Sequence, residues 1–214
     1  MVETATGLVL RTRPLTETSL IIHWLTPELG RLATVAKGAR RPKSSFRGKL
    51  DLFYLADFSF ARSRRSELHT LREVSLRETH PGLRQELGHL QQACYCAALV
   101  EQATETDTAL PGIFDLICGL LAHLPIQTVR AQTIFAFELK LLQNLGLQPD
   151  FEQTKLNPGT RQLAHALALS DWPMITRLKP IETQAKELDQ FLHGFLIYHL
   201  GKLPKGRDPA MALH

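Results

Sequence analysis

A chain of 214 residues, 44% apolar and 21% charged, has ordinary globular composition and room for two modest domains. Its net charge of +4 is unevenly held: residues 1–80 carry fourteen Lys and Arg against eight Asp and Glu, whereas residues 81–214 carry eleven against thirteen. That local excess concentrates positive potential on one domain and points to a polyanionic partner. No apolar run reaches the roughly 18–20 residues that span a bilayer, and the N-terminus lacks the basic, apolar and small-residue order of a signal peptide. A cytoplasmic protein with no membrane partner is expected.

The first 80 residues read as five short strands, GLVLRT, SLIIHWL, RLATVAK, LFYLADFSFA and ELHTLREVSL, rich in β-branched and aromatic residues. TPELG turns the second into the third, GARRPKSSFRG joins third to fourth, and RSRRS joins fourth to fifth. Leu52, Tyr54, Ala56, Phe58 and Phe60 alternate at period two, as the interior of a small barrel requires.

Positive charge is densest at residues 31–49, RLATVAKGARRPKSSFRGK, where seven basic residues occur without an acid. Arg40, Arg41, Lys43, Arg47 and Lys49 fall in the loop, where side chains can follow a phosphate backbone. Arg11, Arg13, Arg31 and Lys37 are strand candidates for the same face, and Arg62, Arg64 and Arg65 form a second basic turn. Phe46 stands among the loop bases as a ring that could stack on a base, while Trp24 reads as core. With so few aromatics, backbone-led and sequence-independent binding is expected. Gly38 and Gly48 read as turn residues.

After His80 the period becomes helical. Leu83, Leu87, Leu90, Cys94 and Ala97 form one apolar stripe, Ile113, Leu116, Leu120 and Leu121 a second, and Ile134, Phe137, Leu141 and Leu145 a third. Leu188, Phe191, Leu192, Phe195 and His199 line a last helix, left through the basic exit GKLPKGR. Residues 148–161 read as a loop. The expected architecture is an α+β multidomain chain: a five-stranded oligonucleotide/oligosaccharide-binding (OB-fold) β-barrel over residues 1–80, then an α-helical domain over 81–214. An SH3-like barrel has the same strand count, and an RNA-binding translation module would be equally basic.

Enzyme chemistry finds little support. Asp51 and Asp57 stand apart among apolar residues, and no HExxH, GxSxG, P-loop or GxGxxG occurs, so no catalytic residue and no cofactor is assigned. A hydrolase with a cryptic site is the alternative. His80 and His123 read as interdomain or helix-end residues. Cys94, Cys96 and Cys118 are odd in number, and a helix sets the first two about 200° apart, so they read as structural thiols with no metal site.

The run GLVLRTRPLTETSLIIHWLTPELGRLATVAKGARRPKSSFRGKLDLF resembles the N-terminal domain of the bacterial RecO family of recombination mediators, through its "ETSL" turn, its "T-x-E-x-G" turn and "KGARR-x-K-S". FELKLLQNLGLQPDF and HLGKLPKGR resemble later pieces of that family. The resemblance implies a non-enzymatic DNA-repair protein. Such a protein binds single- and double-stranded DNA through the barrel, anneals complementary strands, contacts the C-terminal tail of single-stranded-DNA-binding protein (SSB), and with RecR helps load RecA onto SSB-coated gaps. An acidic tail ending in an apolar residue calls for an apolar notch with cations, for which Phe137, Lys140 and Leu141 of one helix and Lys202, Lys205 and Arg207 of the exit are the candidates. The chain departs from the family twice. The four cysteines many members carry after the "L-G-x-x-P" step are absent, and Phe135 and Ala136 stand where some members place paired arginines.

Overall fold

In the computed structural model, which describes residues 2–211, the N-terminal alternation becomes five strands: β1 (Val2–Pro14), β2 (Leu20–Thr26), β3 (Gly30–Ala36), β4 (Leu55–Ala61) and β5 (Leu68–Glu78). They close in the order β1-β2-β3-β5-β4, with β3 and β5 parallel and the other pairs antiparallel. That is the OB-fold order. Closure depends on β1, which pairs with β4 from Val2 to Leu8 and with β2 from Leu8 onward, an irregularity between Val9 and Arg11 bending it between the two.

The barrel interior holds Val9, Ile22, Trp24, Leu32, Ala36, Ala56, Phe58, Phe60, Leu71 and Val74. Trp24 stacks on Phe58 at 4.1 Å and donates its indole N–H to Thr34 Oγ1 at 2.8 Å, which makes it core, as expected. The expected alternation fails before Ala56. Leu52 and Tyr54 lie ahead of β4, and the fully buried residue is Phe53, at φ 64. Its amide and the neighbouring Tyr54 carbonyl pair with both backbone groups of Val9 (2.8 and 2.9 Å), and its own carbonyl meets His80 Nδ1 at 2.7 Å. These bonds hold a left-handed conformation that an aromatic residue does not adopt unaided.

The helical part contains α1 (Leu87–Ala103), α2 (Pro111–His123), α3 (Ala131–Asn144), α4 (Pro158–Leu169), α5 (Trp172–Arg177), α6 (Glu182–Leu200) and α7 (Arg207–Met211). Helix α3 is the centre: every residue from Ala131 to Leu139 is buried, because α1, α4, α5, α6 and α7 all pack on it. The expected stripe on α1 is wrong in phase, since Leu87 is 69% exposed and Cys94 is exposed. Its buried side instead includes His89 and Gln92, whose side chains bond the carbonyls of Gln127 (2.9 Å), Arg130 (2.9 Å) and Ala210 (3.0 Å). The expected loop over 148–161 gives way at Pro158, which opens α4 from the first-turn position that tolerates proline.

The chain forms two compact units, Met1–Pro81 with Thr104–Asp115, and Gly82–Ala103 with Leu116–His214. The barrel thus takes a segment from sequence expected to be helical domain. Arg31 donates Nε to Thr104 Oγ1 at 2.8 Å, the Asp107 amide donates to the Arg31 carbonyl at 2.9 Å, and Arg31 forms a parallel bridge with Thr106. Gly30, at φ 66, is required here, because a Cβ would collide with the Thr108 carbonyl. Among the described residues no helix is long and apolar enough to cross a membrane.

Candidate nucleic-acid interface

The basic loop after β3 is a chain of turns. Arg41 donates its amide to Gly38, Ser44 to Arg41, Arg47 to Ser44 and Lys49 to Phe46, so each carbonyl is capped three residues on (3.0–3.2 Å). The series is pinned at both ends. The Arg40 amide bonds the Thr18 carbonyl at 3.0 Å and its guanidinium approaches the Thr16 carbonyl at 3.4 Å, while Lys49 Nζ bonds the Val74 carbonyl at 3.2 Å. Lys37, Arg40, Arg41, Lys43 and Arg47 are all exposed. Among the described residues Lys37, Arg41 and Lys43 are in no ion pair, and Arg47 makes a 3.3 Å bond to the Pro42 carbonyl.

Phe46 is not a stacking platform. It is 9% exposed and sits in the barrel cluster, where an apolar ring among turns finds its free-energy minimum. The loop is therefore anchored by its one large apolar side chain, and Arg41, Lys43 and Arg47 are left in water. A shallow groove of about 370 Å³ lies beside it, walled by Leu15, Thr16, Thr18 and Ser19 of the β1–β2 turn and by Val35, Lys37, Gly38 and Arg41. Thr16 and Thr18 of that turn carry no charge or ring to mark them in the sequence, and only Thr18 falls within the "ETSL" motif. A larger recess of about 820 Å³ mixes Glu28, Asp57 and Glu73 with Lys49 and Arg72, a lining less suited to a polyanion.

The strand candidates divide. Arg11 lies opposite His23 across the β1–β2 ladder, and Arg13 opposite Ile21. Burial first, and then the charges of Arg11, Arg13 and Arg31, press the His23 imidazole down to a pKa of about 4, so a neutral ring stands among three cations. Arg31, expected on the binding face, is committed to Thr104 through its side-chain oxygen and carbonyl, and holds the 104–115 segment. Arg62 is exposed but engaged: it pairs with Glu3 at 2.9 Å and Asp107 at 3.2 Å, which raise its pKa further. Arg64 and Arg65 of the same turn are exposed.

The proposed partner site in the helical unit fails in its core. Phe137 and Leu141 are fully buried, leaving no apolar notch. Lys140 is half-buried, donates to the Ala168 carbonyl at 2.9 Å and has its pKa lowered by burial. Arg207 is 5% exposed and forks onto Glu138 at 2.7 and 3.0 Å, with a further bond to Asp189 at 2.5 Å. Tyr95 donates its hydroxyl to the same Glu138 at 2.6 Å, and burial beside that carboxylate raises the phenol's pKa far above its ordinary value. Only Lys202 and Lys205 are exposed. Apolar and basic residues do meet elsewhere in this unit, in a groove of about 880 Å³ where Val129, Ala131, Phe135, Pro180 and Ala185 adjoin Arg130, Lys179 and a Lys186 paired with Glu182 at 2.6 Å. Among the described residues no cluster of three or more His, Cys, Asp or Glu is placed to hold a metal ion.

Comparison with known proteins fits both units. The family described as "Recombination protein O N terminal" matches residues 1–80, and "Recombination protein O C terminal" matches residues 84–154. The chain belongs to the RecO family. The "DNA repair protein RecO" of Alkaliphilus metalliredigens is 27% identical over 92% of this chain and 93% of its own length. The protein of the same name from Exiguobacterium sibiricum is 32% identical over 95% of the chain and 82% of its own length. That of Rhodopirellula baltica is 33% identical over 67% of the chain, and the match spans only 53% of that protein. The family places this chain in DNA repair and recombination.

Proposed function

We propose that this chain is a non-catalytic recombination mediator. It binds single- and double-stranded DNA on the basic loop, anneals complementary strands and, with RecR, helps load RecA onto SSB-coated single strands. The observation that carries this reading is the turn series from Gly38 to Lys49, a stiff rim that holds Arg41, Lys43 and Arg47 in solvent on a closed barrel. Exposed cations at fixed spacing neutralise phosphates and reduce repulsion between strands. Phe46, the one aromatic ring of the loop, is buried, so the loop leaves bases unengaged and free to pair. Annealing follows from that combination.

The partner contact moves with the geometry. An acidic tail that ends in an apolar residue and a carboxylate is matched by the groove at Arg130 and Lys179, Lys186 being paired there with Glu182, since Phe137 and Leu141 are inaccessible. Charge-assisted bonds to a carboxylate contribute about 1.5–3 kcal/mol each when partly desolvated. Arg130→Glu with Lys179→Glu is expected to weaken binding of an SSB-tail peptide at least about tenfold, roughly 1.4 kcal/mol, and Lys202→Glu to leave it unchanged.

The central test is DNA binding against salt. Log affinity for single strands should fall with log salt at about 0.7 per phosphate engaged. Arg41→Ala, Lys43→Ala and Arg47→Ala together should flatten that slope by about 2 and act equally on every sequence. A flat salt profile in the parent, or tighter binding to structured RNA than to single-stranded DNA, would remove the mediator reading.

A further inference from the structure

The C-terminal half of α6 and the exit after it present a surface unlike the basic loop. Residues 190–207, QFLHGFLIYHLGKLPKGR, contain no acid. On α6, Phe191, Phe195 and Tyr198 recur at helical spacing and so share one side of the axis, and Lys202 follows just past the end of the helix. Their rings are ordered as a row. Phe191 lies 5.6 Å from Phe195, Phe195 lies 4.4 Å from His199, and His199 meets Tyr198 edge-on at 5.0 Å. The row runs from half-buried rings that pack on the helical core to a Tyr198 that is 84% exposed.

A ring at that exposure, beside a second ring and buried by nothing in its own unit, keeps its face open to a stacking partner. We propose that Tyr198 and His199, with Lys202 and Lys205, form a stacking subsite for single-stranded DNA on the helical unit, distinct from the phosphate-binding loop of the barrel. Bases are placed over the rings. The C-terminus of α6 is the negative end of its dipole, so the backbone phosphates pass beyond Gly201, beside Lys202 and Lys205, where the chain has left the helix at φ 75. Single strands are favoured over a protein partner because the rings stand on a convex helix face beside cations, with no acid over eighteen residues, rather than in a closed apolar pocket. Duplex is disfavoured because its bases are already stacked. The subsite gives an annealing protein a hold on bases that the loop lacks, and its existence does not depend on the loop's role.

The test uses the full chain and an oligothymidylate carrying 5-bromodeoxyuridine. Photo-crosslinking is expected to mark the peptide containing Tyr198. Tyr198→Ala with His199→Ala should lower single-strand affinity about tenfold while leaving the salt slope unchanged, and Tyr198→Phe should keep the affinity because the ring remains. Lys202→Gln with Lys205→Gln should instead flatten the salt slope by about 1.4, at about 0.7 per contact. The same Tyr198 and His199 changes in the Arg41, Lys43 and Arg47 alanine background separate this subsite from the barrel reading. If the loop variant binds like the parent but the crosslink persists at Tyr198, the barrel reading fails and the subsite stands. No crosslink in α6, together with parental affinity for Tyr198→Ala, overturns it. So does a Tyr198→Ala variant that changes only the sedimenting mass, which would make this face a contact between copies.

Discussion

The loop after β3 and the exit after α6 look alike as strings of letters, GARRPKSSFRGK and GKLPKGR, each basic, glycine-marked and free of acid. Their outcomes differ. In the loop the turns repeat every three residues and the single large apolar side chain, Phe46, goes inward, so the cations stay in solvent. In the exit the last cation, Arg207, is drawn under the surface by a carboxylate that α3 has buried, Glu138 at 0% exposure. A basic run therefore shows where charge is, and a distant acid decides whether the charge is available. Arg31 and Arg62 teach the same point within the barrel, where Thr104, Glu3 and Asp107 claim them.

Breaking the Arg207 clamp is expected to have the largest effect. Arg207→Ala leaves Glu138 charged and unpaired in the core and should cost about 3–5 kcal/mol. Urea unfolding followed by the fluorescence of Trp172 would read that loss in the helical unit. Arg207→Met with Glu138→Leu should recover much of it, since no charge is then stranded, although Tyr95 loses its acceptor. A variant as stable as the parent would return Arg207 to the pool of free cations.

Phe46→Ala sharpens the contrast from the other side. Loss of a buried ring should cost the barrel about 3 kcal/mol, while affinity for single-stranded DNA per folded molecule stays near parental. A base-stacking Phe46 would give the reverse, a stable protein with weakened binding, and titration alongside thermal melting distinguishes the two.

Replacing Arg41, Lys43 and Arg47 with alanine should change stability by no more than about 0.5 kcal/mol, because exposed loop side chains contribute little packing. Its effect belongs to binding and to the salt slope. Equal loss of stability and affinity would show the loop cations holding the fold, as Arg31 does at Thr104.

The last expected effect appears only as the pH is lowered. The His23 imidazole has its pKa held at about 4 in the fold, against 6.5 when free. The unfolded chain takes up that proton first, so the stability contributed by the neutral ring is complete above about pH 6.5 and is lost as pH falls from there toward 4. His23→Gln should flatten that limb in barrel unfolding measured from pH 7.5 to 4.5. Bound DNA should raise the His23 pKa if phosphates approach Arg11 and Arg13, which NMR titration of the ring would show.

The five strands, their turns and the OB-fold class were legible because period-two apolar residues and turn residues are local signals. The miss at Leu52 and Tyr54 arose because Phe53 adopts a left-handed backbone supported by Val9, far away in sequence. Helix α1 was read out of phase because His89 and Gln92 bury polar groups whose acceptors lie in later segments. For the candidate site, the loop cations were found where the sequence put them. Phe46, Phe137 and Leu141 were misplaced because an apolar residue beside charges looks the same whether it faces water or core.

The sequence by itself determined the barrel, the change to helices after His80, the concentration of positive charge on the first unit and the family, since each depends on residues close together in the chain or on composition. Only the tertiary structure decided which cations remain available, that residues 104–115 join the barrel, and that the groove lined by Arg130, Lys179 and Lys186 is where apolar and basic side chains meet. The physical reason is that burial and pairing are properties of contacts. Glu138 and Arg207 are separated by the greater part of the helical unit's sequence, and neither side chain carries a mark that it will neutralise the other.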